Sequence, residues 1–581
     1  MSFRLESVSP VLIVPLAARR VGMPALTGAP AIGRMARRKK KAPRLSRFTH
    51  RLRSTRHGSR IPGTAWGARV NRFRPWGIPS AAVRLVRSVL LAATIVVAAA
   101  PAGGQERQAS GEHLGVQSFP DPEGVTTTLN VNGQVNEQGA FFQSLGTNGR
   151  SCATCHVASQ AMSISAEQVQ VRFLQTGGTG PLFAAVDGAN CPNAREGRPE
   201  DHSLLLKHGL IRVFLPVPAN AQFNISVVKD PYGCAMVPGA SGQPVVSVYR
   251  RPLPTTNLGF LSTIMFDGRE TKAPLNLSST FSANLAADLT QQATDAVNIH
   301  AQATQPPTAA QLQDILAFEL GLFSAQSYDA AAGYLHARGA GGGPLDVAAF
   351  APDYYPGIND SLGADPSGAA FTAASMTVFS AWSTVSDQEG DFGEQRRDAA
   401  RRTIAAGEAL FNSAPVQISN VRGLNDNVAL GRPTTFTGTC TTCHDTPKIG
   451  NHSFPLPLDI GTGHSVLAGA EPDENIAAGL AELSVPELPV YLITGCPNPF
   501  NPGQVESFYT TDPGKALISG LCSDFNRGKG PILRGLAARA PYFHNGAAAD
   551  LQELVNFYNQ RFQMNLTDEQ KRELIAFLNS L

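Results

Sequence analysis

The sequence predicts a mainly α fold in two halves, with loop and β insertions. Three observations predict it. Apolar residues recur at helical spacing in four separate stretches. The pattern C-x-x-C-H occurs once in each half, at 152–156 and 440–444. Runs of alternating polarity are confined to a segment that holds isolated cysteines.

Residues 1–105 hold 17 Arg, 3 Lys and one acid, Glu6, a net charge of +19. Residues 106–581 carry −16, so the overall +3 and the pI of about 8.4 describe neither part. The twelve-residue apolar run 89–100 is too short to span a bilayer. Arg84 and Arg87 precede it, and Ala100-Pro101-Ala102 follows it, which is the order of a secretory signal peptide. Residues 1–80 carry Arg-Arg-Lys-Lys-Lys at 37–41 and no sustained period. They read as an over-extended reading frame, so 1–102 is a basic leader with its signal peptide at 83–102. A disordered basic extension and an organelle transit peptide are the alternatives. The expected mature protein starts near Gly103 and is exported, soluble and periplasmic, with no membrane span. Its acidic body argues against a nucleic-acid partner.

Two domains are expected, 103–390 and 391–581, each with one C-x-x-C-H motif. Residues 106–150 are polar with little period. Within 163–250, the runs 210–215 and 223–228 read as short strands of an insertion. A helix is expected at 308–323, with Leu312, Ile315, Leu316, Phe318, Leu320 and Phe323 on a broad apolar face. Residues 338–371 read as a long Gly/Pro-rich loop. Helices follow at 398–411, 550–562 and 568–581; Thr567 and Gln570 form a capping box for the last.

The eight cysteines are of two kinds. Cys152-Ala-Thr-Cys155-His156 and Cys440-Thr-Thr-Cys443-His444 each match the attachment signature of a c-type haem. Two thiols at this spacing add to the vinyl groups of one porphyrin, and the adjacent histidine supplies the proximal iron ligand. Zinc is the rival, but it wants four ligands per site. His452 follows His444 by eight residues, and nothing comparable follows His156 before Cys191. Two covalently bound c-type haems are therefore expected, with His156 and His444 as iron ligands. Cys191, Cys234, Cys496 and Cys522 suit an oxidising compartment. Pairing Cys191 with Cys234 and Cys496 with Cys522 would staple each inserted loop, but three connectivities are open and free thiols are a further alternative.

Five stretches, in order, carry a resemblance to the bacterial di-haem cytochrome c peroxidase superfamily, which includes MauG-type enzymes. They are the first haem motif; Pro254-Thr-Thr-Asn257 leading into Met265-Phe-Asp-Gly-Arg269; Ala317-Phe-Glu-Leu-Gly-Leu-Phe323; Gly407-Glu-Ala-Leu-Phe411 ahead of the second motif; and Leu533-Arg534 with Ala540-Pro-Tyr-Phe-His-Asn-Gly546. The resemblance covers about 135–581, interrupted at about 163–250 and 465–520. It implies two cytochrome c-like haem domains packed face to face, an N-terminal haem that meets peroxide, and a C-terminal haem that receives and stores electrons. Family members often dimerise and bind calcium between domains, so a homodimer and calcium are expectations, although no calcium ligand is matched here.

Two departures bear on mechanism. Phe266 stands where many members have a tryptophan between the haems, and phenylalanine is not readily oxidised as a relay. Ile532 stands where peroxidases place a methionine ligand of the C-terminal haem. His544 is the favoured replacement ligand; Tyr542, His452 and His464 are the others, and a structural role for His544 is the alternative. At the N-terminal haem, a segment like Asp288-Leu-Thr-Gln-Gln-Ala293 leads in the peroxidases to an acid/base glutamate. Here His300 and Gln302 follow it, His300 as acid/base or iron ligand and Gln302 as a hydrogen-bonding group. His202 and His208 are further candidates to cap this iron. Arg269 is expected on a haem propionate or a neighbouring acid.

The leading expectation is a periplasmic peroxidase that reduces hydrogen peroxide with electrons from a small cytochrome or copper protein. The alternatives are a MauG-like or rubber-oxygenase-like oxidase acting with peroxide or oxygen on an organic or protein substrate, and an electron-transfer cytochrome without catalysis.

Overall fold

The computed structural model describes residues 115–272, 280–386, 390–465, 474–481, 483 and 485–581. The leader, the signal peptide at 83–102 and the expected start near Gly103 lie outside them. A stretch without a clear sequence period opens the described chain, yet it forms a hairpin. Strands Gly115–Asp121 and Gly124–Asn130 pair antiparallel, and the second also pairs with Leu322–Asp329. The glue is polar. Thr127 bonds Ser327, Thr128 bonds Ser324, and Thr126 donates to Gln326, all across one strand pair. Threonine fits a pleated, half-buried surface, and each buried hydroxyl here has a partner, so no desolvation penalty is left open.

The expectation of a mainly α fold is corrected. Among the described residues, helix accounts for 33% and strand for 17%, in four sheets. The physical reason lies largely in the insertions. Strands Ile211–Pro216 and Asn224–Lys229 form where alternation predicts them. The second of these then pairs with Val490–Pro497, which pairs in turn with Val505–Thr510. Two segments far apart in the chain thus share one sheet and one apolar cluster, in which Leu215, Val246, Tyr491 and Leu517 are buried. Tyr491 donates its hydroxyl to the carbonyls of Ala235 and Ser247, tying the insertions together. Disulfides Cys191–Cys234 and Cys496–Cys522 close one loop in each.

The helices form the rest. The expected helix at 308–323 is Ala309–Leu320, capped by Thr308; after Gly321 the chain turns into the strand Leu322–Asp329, which claims Phe323. The helix Phe281–Ile299 buries Leu285, Leu289, Ala293 and Val297, a stripe at every fourth residue. That stripe is readable in the sequence, though diluted by Ala, Thr and Gln. The Gly/Pro-rich stretch 338–371 contains a short helix, Pro344–Phe350, followed by a 3-10 turn, Ala351–Asp353, and is mostly loop beyond them. Near the C-terminus, Phe392–Ser413 packs on Asp568–Asn579 around Phe411, Phe577, Leu578 and Trp382. The approach is so close that a Cβ on Gly407 would lie 2.0 Å from the Glu573 carbonyl, so only glycine fits. The capping box of Thr567 and Gln570 is present. Among the described residues, no helix is long and apolar enough to cross a membrane.

Candidate functional site

The two C-x-x-C-H motifs fold alike. Each opens as a single 3-10 turn, Cys152–Thr154 and Cys440–Thr442, closed by a reciprocal cap between Ser151 and Thr154 and between Thr439 and Thr442. The His156 amide donates to the Cys152 carbonyl at 3.0 Å, and the His444 amide to the Cys440 carbonyl at 3.1 Å. These bonds bring each histidine back beside its cysteines. His156 Nδ1 lies 3.1 Å from the Met162 carbonyl, and His444 Nδ1 is bonded to the Gly450 carbonyl. With Nδ1 engaged, Nε2 is the nitrogen left for a metal. Burial lowers His156 to about 4, which keeps its imidazole in the neutral, ligating form. None of the four motif cysteines is in a disulfide, whereas the other four are paired. The donor set and its geometry therefore fit two thioether-bound haems.

The first motif opens on a cleft. Cys152, Cys155 and His156 line it together with Met265, Leu289, Val297, His300 and Glu319. His300 is held by a charge cluster. Its Nδ1 bonds Asp187, and Asp187 also pairs with Arg150. Arg150 is fixed further by the carbonyls of Pro181 and Leu182, at 2.7 and 2.8 Å. Asp187 is only 2% exposed. Burial pushes its carboxyl up, but the His300 hydrogen bond and the Arg150 charge outweigh that and hold it below the ordinary carboxylate range. Asp187 belongs to the inserted region and lies 113 residues before His300, so no local signal marks the pair.

Two other groups of this cleft lack a signature. Glu319 is buried, burial raises it to about 8, and its Oε2 has no hydrogen-bond partner. It sits inside a stretch that carries the family resemblance, which is the only clue the sequence offers. Lys529, pushed down to about 8 by burial, also lines the cleft and donates to the Thr263 carbonyl. Gln302 lies elsewhere. It is exposed, in left-handed backbone, and its side chain accepts from Asn148. His202 bonds the Gly188 carbonyl and packs against Phe173 and Phe183, while His208 lies against Gly546 and Glu487.

The replacement-ligand candidates are scattered. Tyr542 donates to the Leu536 carbonyl, His464 pairs with Asp459 at 2.9 Å, and His452 lies between Asp360 and Asp445. Ile532 is buried with Leu258, Ile264 and Ile449. His544 is buried, lowered to about 4 by burial, and its Nε2 has no hydrogen-bond partner. Its ring stacks on Phe266 at 4.5 Å, and the Arg250 guanidinium lies 5.0 Å from the centre of the Phe266 ring. Arg250 bridges Asp267 and Asp512, and Arg269 pairs with Asp267 at 3.1 Å. The expectation that Arg269 meets a neighbouring acid is thereby met. Phe266 is thus clamped between a histidine and an arginine in a buried charge network.

The two matched loops carry donor sets that fit haem. No family model matches it. Over 151 residues it is 30% identical to the cytochrome-c peroxidase IdrP2 of Denitromonas iodatirespirans, covering 25% of this chain and 36% of that protein. The chain therefore spans about a third of the length of that relative. Among solved structures, it matches a MauG-like protein associated with microbial copper homeostasis, at 14% identity and a TM-score of 0.28, over 76% of this chain and 87% of that one. The resemblance to the di-haem cytochrome c peroxidase and MauG superfamily read from the motifs is borne out by the peroxidase relative.

Proposed function

We propose that the chain is an exported, periplasmic di-haem c-type oxidoreductase that reduces hydrogen peroxide at its N-terminal haem. The observation that carries this reading is the cleft that places His156 and the Asp187-held His300 on shared walls. Cys152 and Cys155, and Cys440 and Cys443, would hold the two haems, with His156 and His444 as iron ligands. Bound there, each haem supplies an iron that accepts and donates single electrons. Reduction of one peroxide consumes two electrons and two protons and yields two waters. Asp187 fixes the tautomer of His300 through Nδ1, leaving Nε2 to move a proton at the peroxide oxygen. Glu319, protonated below about pH 8, is a second proton source in the same cleft. The acidic body suits a small cytochrome or copper protein with a basic docking face as electron donor.

Phe266 favours a second reading, a MauG-like or rubber-oxygenase-like oxidase of an organic or protein substrate. A residue that cannot serve as an oxidisable relay slows electron delivery from the C-terminal side. Stopped-flow mixing of the reduced, haem-loaded protein with peroxide, with a reduced cytochrome present, tests the first reading. Turnover to water that falls about 10²–10⁴-fold in His300→Ala supports it. Oxygen uptake with an organic substrate and no peroxide turnover transfers the assignment to the oxidase. Two haems inert to peroxide and carbon monoxide leave an electron carrier.

A further inference from the structure

Away from the first cleft, three side chains with metal-ligating atoms converge beside the second motif. Asp360, Asp445 and His452 are 1%, 0% and 4% exposed. One donor atom from each lies within 4.8 Å of the others. His452 Nδ1 is 3.0 Å from Asp445 Oδ2, and its Nε2 is 3.8 Å from Asp360 Oδ1. The shorter contact is an ion pair when His452 is protonated, and Asp360 Oδ1 is without a hydrogen-bond partner. The backbone holds the remaining oxygens. Asp360 Oδ2 accepts from the amides of Leu362 and Ala364, and Asp445 Oδ1 accepts from the Ser453 amide. Among the described residues, no lysine or arginine pairs with either carboxylate. Thr446 Oγ1 and Ser453 Oγ, in the same loop, are also buried without partners.

Two buried carboxylates that share a single imidazole as their basic partner carry a desolvation cost that one positive charge offsets only in part. A divalent cation offsets it directly. We infer that Asp360, Asp445 and His452 form a buried site for a first-row divalent metal, separate from both haem motifs. Donors of one ion with bonds of about 2.0–2.2 Å sit roughly 3.0–3.5 Å apart; the three donor atoms, one from each residue, lie within 4.8 Å of one another, so the side chains close in on a bound ion. Two carboxylates and one imidazole are hard to borderline donors and suit zinc or manganese. Calcium, which takes about six to eight oxygen ligands, does not suit a set that includes an imidazole. The site ties the 338–371 stretch to the loop carrying His444. Asn359 Nδ2 donates to the Asp445 carbonyl, and Ser361 Oγ to the Thr442 carbonyl, along the same seam. A metal there would brace the loop that presents the second iron ligand.

The test uses the full haem-loaded chain. Haem is counted by its pyridine haemochrome and total metal by mass spectrometry. The expected result is one equivalent of non-haem zinc or manganese, lost in His452→Ala and in Asp360→Asn with haem content unchanged. Chelated wild-type protein should regain one equivalent on equilibrium dialysis against zinc or manganese, with a rise in melting temperature that the variants do not show. Chelated wild type that takes up neither metal overturns the site, as does full metal retention in both variants. If the variants fail to fold, the wild-type dialysis alone decides.

Discussion

Asp187→Asn tests the mechanism and the fold together. The carboxylate accepts from His300 Nδ1 on one oxygen and from Arg150 on the other, and its backbone carbonyl accepts from the Arg212 amide at 2.8 Å. Asparagine keeps the shape and the backbone bond but removes the charge. Breaking a buried pair costs roughly 3–5 kcal/mol. Arg150 retains the carbonyls of Pro181, Leu182 and Ala184, so the cost should fall at the lower end, about 3 kcal/mol. Urea unfolding followed by circular dichroism at pH 7 measures it. The pH dependence has a definite sign. Because the folded pKa of Asp187 lies below its ordinary value, its contribution is fully present above the unfolded pKa of about 4 and is lost as pH falls through the folded value. The wild type should therefore lose its advantage over the variant in acid. Peroxide turnover should fall about 10–100-fold, as for loss of a residue that orients a functional histidine, and by less than in His300→Ala. Equal urea midpoints at pH 7, together with unchanged turnover, would refute the reasoning.

Glu319→Gln should flatten a different limb. Burial raises Glu319 to about 8, so its favourable contribution is present below the unfolded pKa and is lost as pH rises toward 8. The variant should gain on the wild type between about pH 5 and 8 in thermal melts, and parallel curves would count against a buried acid. Gly528→Ala would place a Cβ 2.2 Å from Phe266 Cε2. The ring is pinned by His544 and Arg250, so about 1–3 kcal/mol of overpacking is expected in urea melts; a neutral result would mean that the stack yields. The disulfides close separations of 43 and 26 residues, for which loop entropy gives about 4 and 3.5 kcal/mol. Cys191→Ala with Cys234→Ala should cost slightly more than the other pair, and no loss from either would show that the insertions need no staple.

Local chemistry was legible in the sequence. The two haem motifs, the strands near 210–228 and the C-terminal helices follow from spacings within about fifteen residues, and the structure places them where those spacings point. The cysteine pairing was legible only as a set of options. Other features were opaque because their partners are remote. The strand at 224–229 finds its neighbour at 490–497, the histidine at 300 finds its carboxylate at 187, and Asp360 meets Asp445 and His452. The mainly α expectation failed for the same reason. A short strand buries little by itself and declares itself only through the strand it pairs with. Which residues can hold haem, and the acidic charge of residues 106–581, follow from local residue order and composition. Tertiary contacts decided which histidine receives a carboxylate, which two carboxylates share one imidazole, and what clamps Phe266. Those outcomes depend on burial and on contacts between distant segments, which no local pattern of residues encodes.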